Sequence, residues 1–329
     1  MAGSQGHALA VAVSTAGGLG SLPTALLSAE PLRKELNAIR SATRAPYNVN
    51  FFSHTPPTPS AEREAAWRTA LAPYYEEYGI DPPSVPAGPG RTPFNAESLA
   101  VVEEFRPAVV SFHFGLPPAE LLTRVRATGA KVLSSATTLD EARWLESQGV
   151  DAIIVQGLEA GGHRGHFLSH DLTLQSGTFA LLPQVVRAVR VPVIAAGGIV
   201  DHQTVRAALA LGASAVQVGT TYLLCPETTI SATYRAALRS RDAQHTALTN
   251  LFSGRPARGI VNRLMRDLAP LSDKPPEFPL ASAAVAPLRA KAEAQGRGDF
   301  SPLWAGQNVS GCKETSAADL TRALMGVGT

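Results

Sequence analysis

The chain has 329 residues and a formal net charge of +2, with 45% hydrophobic and 17% charged residues; it can bury a full core and is too apolar for a disordered chain. No basic run or arginine stripe marks a nucleic-acid surface, and no apolar run approaches the roughly 20 residues of a membrane span. Cys225 and Cys312 lie far apart without a CxxC partner, which argues against a disulfide framework or thiolate metal cluster and points to a reducing cytoplasm.

The opening "MAGSQGHALAVAVSTAGGLG" has no basic n-region and reads as a loop and helix. Its "STAGGLG" (14–20) is a helix stop and close-packing turn, with no ligand. Short apolar or β-branched runs then alternate with amphipathic segments. Strands are expected at 19–23, 47–52, 108–114, 131–137, 152–157, 191–198 and 215–220, with crossover helices such as "LDEARWLESQG" and "DHQTVRAALALG" between them. Near-regular βα repetition predicts an α/β fold of the TIM type, a (β/α)8 barrel, over an open doubly wound sheet. Seven strands are read, so the first barrel strand is expected to precede Met1. Residues 54–94 form a proline-bounded insertion with one helix. Residues 225–297 form a mainly helical cap broken at "SDKPPEFP". The expected division is a barrel of residues 1–224 and 298–329 that carries the 54–94 insertion, with the 225–297 cap over its C-terminal face, where barrel active sites lie.

"AAGGI" (195–199) and "QVGT" (217–220) end the last two strands. Glycine lets the backbone approach a phosphate closely, and the start of the next helix supplies N–H donors. Each glycine alone reads as a tight turn; their coincidence at adjacent strand ends favours a phosphate cradle at Gly197, Gly198 and Gly219.

"EAGGHRGHFLSH" (159–170) holds three histidines. Gly162 and Gly165 interrupt it and no rigid helix sets its spacing, so it is a poor metal site. His166 and His170 read as solvated loop residues. His163 follows a strand end by a short glycine turn, where its neutral ring can take a proton from an acidic carbon. His113, in "SFHFG", faces the same mouth either as a substrate group or as a satisfied lining residue. Asn50 and Gln156, also at strand ends, can bond the polar edge of a planar ring. Asn48 and Asn50 are read as facing opposite ways, and the pattern does not choose between Ser134 and Ser135.

Together these stretches, with "PYNVNFF", "SGRPARGIVNR" and "LWAGQ", make the chain resemble the nitronate monooxygenase family (2-nitropropane dioxygenases) over nearly its whole length. "QGLEAGGHRG" with "SFHFG" is similar to the class that oxidises nitronates, propionate 3-nitronate among them. The resemblance implies non-covalent FMN in the barrel, His163 as the catalytic histidine and His113 in the substrate pocket. It implies phosphate loops at Gly197, Gly198, Gly219 and Thr220 with Gln217 beside them. Asn50, Ser135, Gln156, Gly161 and Gly162 would surround the ring and ribityl chain, and Met1 and Ala2 would lie in the loop that approaches the flavin. The implied reaction is oxidative denitrification of a nitronate or nitroalkane by O2 to a carbonyl compound and nitrite, in a monomer or homodimer with no metal, nucleic-acid or membrane partner. Two other readings stay open: an FMN-dependent NAD(P)H reductase of the enoyl-ACP reductase or quinone reductase type, and a non-catalytic phosphate- or flavin-binding barrel.

Overall fold

Period-two alternation in the apolar runs sorts side chains between two layers. In the computed structural model, which describes residues 1–85 and 91–327, seven of these runs form one curled parallel sheet. Its strands lie in the order β1 (Gly20–Pro23), β2 (Tyr47–Phe52), β3 (Val109–His113), β4 (Lys131–Ala136), β5 (Ala152–Gln156), β7 (Val193–Ala196) and β8 (Ala215–Gln217). A second, antiparallel sheet has the order β6 (Gly162–His163), β10 (Ala257–Ile260), β9 (Thr246–Thr249). Each expected strand forms at its expected place, most of them trimmed at the ends.

The two layers are clear in β5, whose residues are all buried. Ile153 and Val155 join Val110, Phe112 and Val132 in the core under the helices. Ile154 and Ala152 turn the other way and meet Leu133 and Ala196 inside the curl. The crossover helices α2 (Ala29–Ala42), α4 (Ala96–Phe105), α5 (Ala119–Ala127), α6 (Leu139–Ser147), α7 (Thr178–Ala188) and α8 (His202–Ala210) cover the outer face. Side-chain caps fix their starts: Thr138 accepts from Glu141 N–H ahead of α6, and Asp201 forms a capping box with Thr204 ahead of α8. This is the α/β architecture of a TIM-type barrel, with β1 and β8 the outermost strands among the described residues.

The chain enters through α1 (His7–Thr15). A Cβ on Gly20 would stand 1.9 Å from the Ala10 carbonyl oxygen, so the "STAGGLG" glycines serve the close contact of α1 with β1. α12 (Ala317–Met325) returns to the same region, burying Leu320 and Leu324 in the barrel core.

A separate core lies above the sheet. Trp67, Leu71, Tyr74 and Tyr75 of α3 (Ala61–Glu77) pack with Leu251, Phe252, Leu264, Leu288 and Phe300. Trp67 Nε1 donates to the Ala281 carbonyl at 3.2 Å and Tyr75 OH to that of Ala284 at 2.6 Å. The 54–94 insertion is thus stitched to the 225–297 segment. Besides α9 (Ala232–Arg239), α10 (Arg263–Asp267) and α11 (Ser282–Ala294), that segment contains β9 and β10; β10 pairs with the loop carrying His163 on one side and with β9 on the other. No helix among the described residues is long and apolar enough to cross a membrane.

Candidate active site

His113 ends β3 and His163 lies in β6, just beyond β5, so sheet topology brings both to the C-terminal mouth. His113 Nε2 stands 3.0 Å from the His163 carbonyl and its Nδ1 3.0 Å from Ser135 Oγ. A carbonyl only accepts, so the His113 proton sits on Nε2, and Nδ1 accepts from the Ser135 hydroxyl. Burial takes His113 down to about 3, with Arg255 and Arg164 adding to the effect against the opposing bond to His163. His163 makes one ring contact to a polar side chain, Nε2 to Ser253 Oγ at 2.8 Å. Burial, followed by the charges of Arg91, His113 and Arg255, holds it well below the ordinary histidine range. Both rings are therefore neutral imidazoles at physiological pH.

An aromatic wall surrounds His163. Its ring centroid lies 5.2 Å from Phe278, 5.4 Å from Trp304 and 6.1 Å from both Phe52 and Phe114. Phe114 adopts a left-handed backbone (φ 72°), unusual for an aromatic residue. Arg255 lies 4.2 Å over its ring.

The loop that presents His163 is held by buried polar contacts. Arg164, with no exposed surface, donates to the carbonyls of Gln156 and Gly157 and to Gln175 Oε1, at 2.7–2.8 Å. Gln156 Nε2 donates to the His163 carbonyl and its Oε1 accepts from Gly165 N–H, so this amide, expected beside a planar ring, binds the loop at both ends. A Cβ on Gly165 would meet His113 Cε1 at 2.7 Å, and one on Gly161 would meet Gly306 N at 2.5 Å. Gly162, with φ +75°, pairs with Arg258 across the β6–β10 ladder.

At the neighbouring strand ends, Gly197 and Gly198 have φ +121° and +74°. The N–H groups of Gly197, Gly198 and Gly219 donate to no acceptor among the described residues. Thr220 Oγ1 accepts from Gly306 N–H at 2.9 Å, and Gln217 lies exposed on β8. The Met1 sulfur is 3.7 Å from where a Cβ on Gly219 would sit, with Ala2 next to it in sequence. Asn48 and Asn50 do not face opposite ways: both donate to Ser111 Oγ, at 2.8 and 2.9 Å, because residues two apart on a strand share a face. Ser134 and Ser135 do diverge, Ser134 donating to the Gly115 carbonyl and Ser135 meeting His113.

His166 is not solvated. It is 1% exposed and neither ring nitrogen has a hydrogen-bond partner among the described residues, whereas His170 is exposed. Ser253, Arg255, Phe278 and Trp304 were missing from the sequence reading of the site. They reach it from 90 or more residues downstream of His163, and the stretches "SGRPARGIVNR" and "LWAGQ", which contain Ser253, Arg255 and Trp304, were the signals for three of them.

Fold and site define a TIM-type barrel enzyme that presents a neutral histidine inside an aromatic pocket. Residues 1–326 match the family described as nitronate monooxygenase, and the chain belongs to that family. It is 44% identical to a nitronate monooxygenase of Pseudomonas aeruginosa, covering 99% of this chain and 93% of the relative. It is 43% identical to one of Paraburkholderia phytofirmans, covering 98% and 89%. Among solved structures, the nitroalkane oxidase from Streptomyces ansochromogenes superposes with a TM-score of 0.90 at 37% identity, over 99% of this chain and 93% of that one. A FabK mutant from Thermotoga maritima reaches 0.70 at 27%, over 99% and 89%. These similarities support the monooxygenase reading over the reductase one.

Proposed function

We propose that the protein is an FMN-dependent nitronate monooxygenase that uses O2 to convert alkyl nitronates, propionate 3-nitronate among them, to carbonyl compounds and nitrite. The observation that carries this reading is the neutral His163 ring, anchored by Ser253 and walled by aromatics at the mouth of a barrel of this family.

The residues fit FMN. The uncommitted N–H groups of Gly197, Gly198 and Gly219 suit a phosphate monoester. The Thr220 hydroxyl, having accepted from Gly306, keeps its own hydrogen to donate. Asn50, Ser135, Gln156, Gly161 and Gly162 would border the ring system, with Met1 and Ala2 beside the phosphate loop and His113 on the substrate side. When bound, FMN would accept electrons from the nitronate and return them to O2.

The chain's own side chains do the rest. Ser253 Oγ lies 3.4 Å from the Arg255 carbonyl and donates to it, so it accepts a hydrogen bond from His163 Nε2–H and leaves Nδ1 as the basic atom. Toward a neutral nitroalkane, Nδ1 takes the α-proton; toward a nitronate, the ring stays neutral and orients the anion. Phe52, Phe114, Phe278 and Trp304 limit water. Residues 225–297, which supply Ser253, Arg255 and Phe278, act as the substrate cover, and the enzyme works in a reducing cytoplasm.

The test is nitrite release by purified protein showing an oxidised-flavin spectrum. His163→Ala should lower turnover of neutral nitroethane by about 10²–10⁴-fold, the range of general-base catalysis, while retaining FMN. Parallel loss of flavin and activity would make His163 structural.

A further inference from the structure

The amide donors of the phosphate cradle are aimed from behind. A trans peptide unit is planar, so its carbonyl and the N–H of the next residue point opposite ways, and a group that grips the carbonyl fixes where the N–H faces. The Ala196 carbonyl, on the unit that carries Gly197 N–H, accepts from Gly157 N–H at 2.9 Å. The Gly197 carbonyl, on the unit that carries Gly198 N–H, lies 3.0 Å from Thr178 Oγ1. Thr178 Oγ1 also lies 2.9 Å from Glu159 Oε2, so its one hydrogen stands between two acceptors. Thr178 N–H donates to the same carboxylate, 3.0 and 2.8 Å from its two oxygens. Thr178 opens α7, whose N-cap Gly177 has no side chain to offer, and Glu159 takes the place of that cap. The close fit excludes larger residues around the pair: a Cβ on Gly157 would stand 2.0 Å from Thr178 Oγ1, and one on Gly177 2.7 Å from Glu159 Oε1.

Glu159 therefore connects three pieces of chain. Its side chain holds the start of α7 and, through Thr178, the end of β7; its carbonyl accepts from Gln307 N–H at 2.9 Å; and it stands four residues ahead of His163 in the same loop. Its charge bears on the buried guanidinium groups of Arg164 and Arg258, which offset a carboxylate placed beside an anion site. We propose that Glu159 and Thr178 are positioning residues, which aim Gly198 N–H at the flavin phosphate and couple occupancy of the cradle to the order of the loop that carries His163. This rests on the FMN reading above. Coupling of this kind is reciprocal, so the phosphate end of the cofactor is felt at the His163 loop, and a change in the pair is felt in phosphate binding.

The experiment measures Kd for FMN and for riboflavin, which lacks the phosphate, by flavin fluorescence in the full native chain, Glu159→Gln, Thr178→Val and Thr178→Ser. Amide hydrogen exchange over residues 159–165 is followed with each flavin bound. The native chain should prefer FMN, and FMN should protect 159–165 more than riboflavin does. Glu159→Gln and Thr178→Val should shrink the preference for FMN about tenfold, the worth of one hydrogen bond to a charged group, and remove the extra protection. Thr178→Ser, which keeps the hydroxyl, should retain both. A merely structural role would weaken both flavins alike and leave their ratio as in the native chain, and that result would overturn the proposal. Equal losses in Thr178→Ser and Thr178→Val, or extra protection that persists in Glu159→Gln, would overturn it too. If Thr178→Val does not fold, Glu159→Gln and Thr178→Ser still decide it. A native chain that binds FMN no more tightly than riboflavin would refute the phosphate cradle, and with it the FMN reading; a native preference carried unchanged into the variants would refute the positioning pair alone.

Discussion

Ser253 stands between the His163 ring and the Arg255 carbonyl, and its hydroxyl hydrogen can point only one way at a time. Removing it frees the imidazole to exchange its proton between Nδ1 and Nε2. In Ser253→Ala, ¹⁵N shifts of His163 should change from one tautomer to a mixture. Turnover of neutral nitroethane should fall about tenfold, more than turnover of preformed ethyl nitronate, in line with the modest worth of one hydrogen bond. A single unchanged tautomer would remove Ser253 from this role. His163 and His113 were legible because each sits at the end of an apolar run, where a barrel gathers its chemistry. Ser253 and Arg255 were not, because their placement depends on pairing between β6 and β10, which no local spacing encodes. The polarity of the "EAGGHRGHFLSH" loop likewise hid His166, which goes inside where Arg255 donates to its carbonyl and Glu141 accepts from the N–H groups of Phe167 and Leu168.

The long elements announced themselves through alternation and capping signals. β6 (GH), β9 (TALT) and β10 (ARGI) are short and lie in no extended apolar run, so 225–297 reads as helical from its longer stretches alone. The other feature beyond local reading is the docking of α3 on α11. Trp67 is 1% exposed and bonds the Ala281 carbonyl, so Trp67→Ala should cost about 3–5 kcal/mol, as large core deletions do. Thermal unfolding would show this as a lowered Tm. Activity should fall with it, because the same core includes Leu251 and Phe252, directly ahead of Ser253. A Tm unchanged by the substitution would mean that α3 contributes nothing to that core.

Across the whole molecule, buried histidines make the fold acid-sensitive. Burial pushes His54 down to about 4 and His166 to about 3, and both are nearly inaccessible. Below their unfolded value of about 6.5 the unfolded chain binds protons that the folded one refuses, so stability drops as pH falls from about 6.5 toward 4. Each of the two contributes a slope of up to about 1.4 kcal/mol per pH unit. Tm measured from pH 7 to 5 should fall steadily, and His166→Gln should flatten the decline. A Tm indifferent to pH over that range would contradict it.

The upper core joins segments that leave the barrel after β2 and after β8, nearly 200 positions apart in the chain. Neither half can close it alone. On the ribosome, α3 emerges early and must wait with Trp67 and its tyrosines uncovered until α11 and Phe300 are synthesised. In recombination between relatives, a crossover that exchanges only one of the two segments would unite faces that were never fitted to each other, so the pair must be inherited, or transplanted, together.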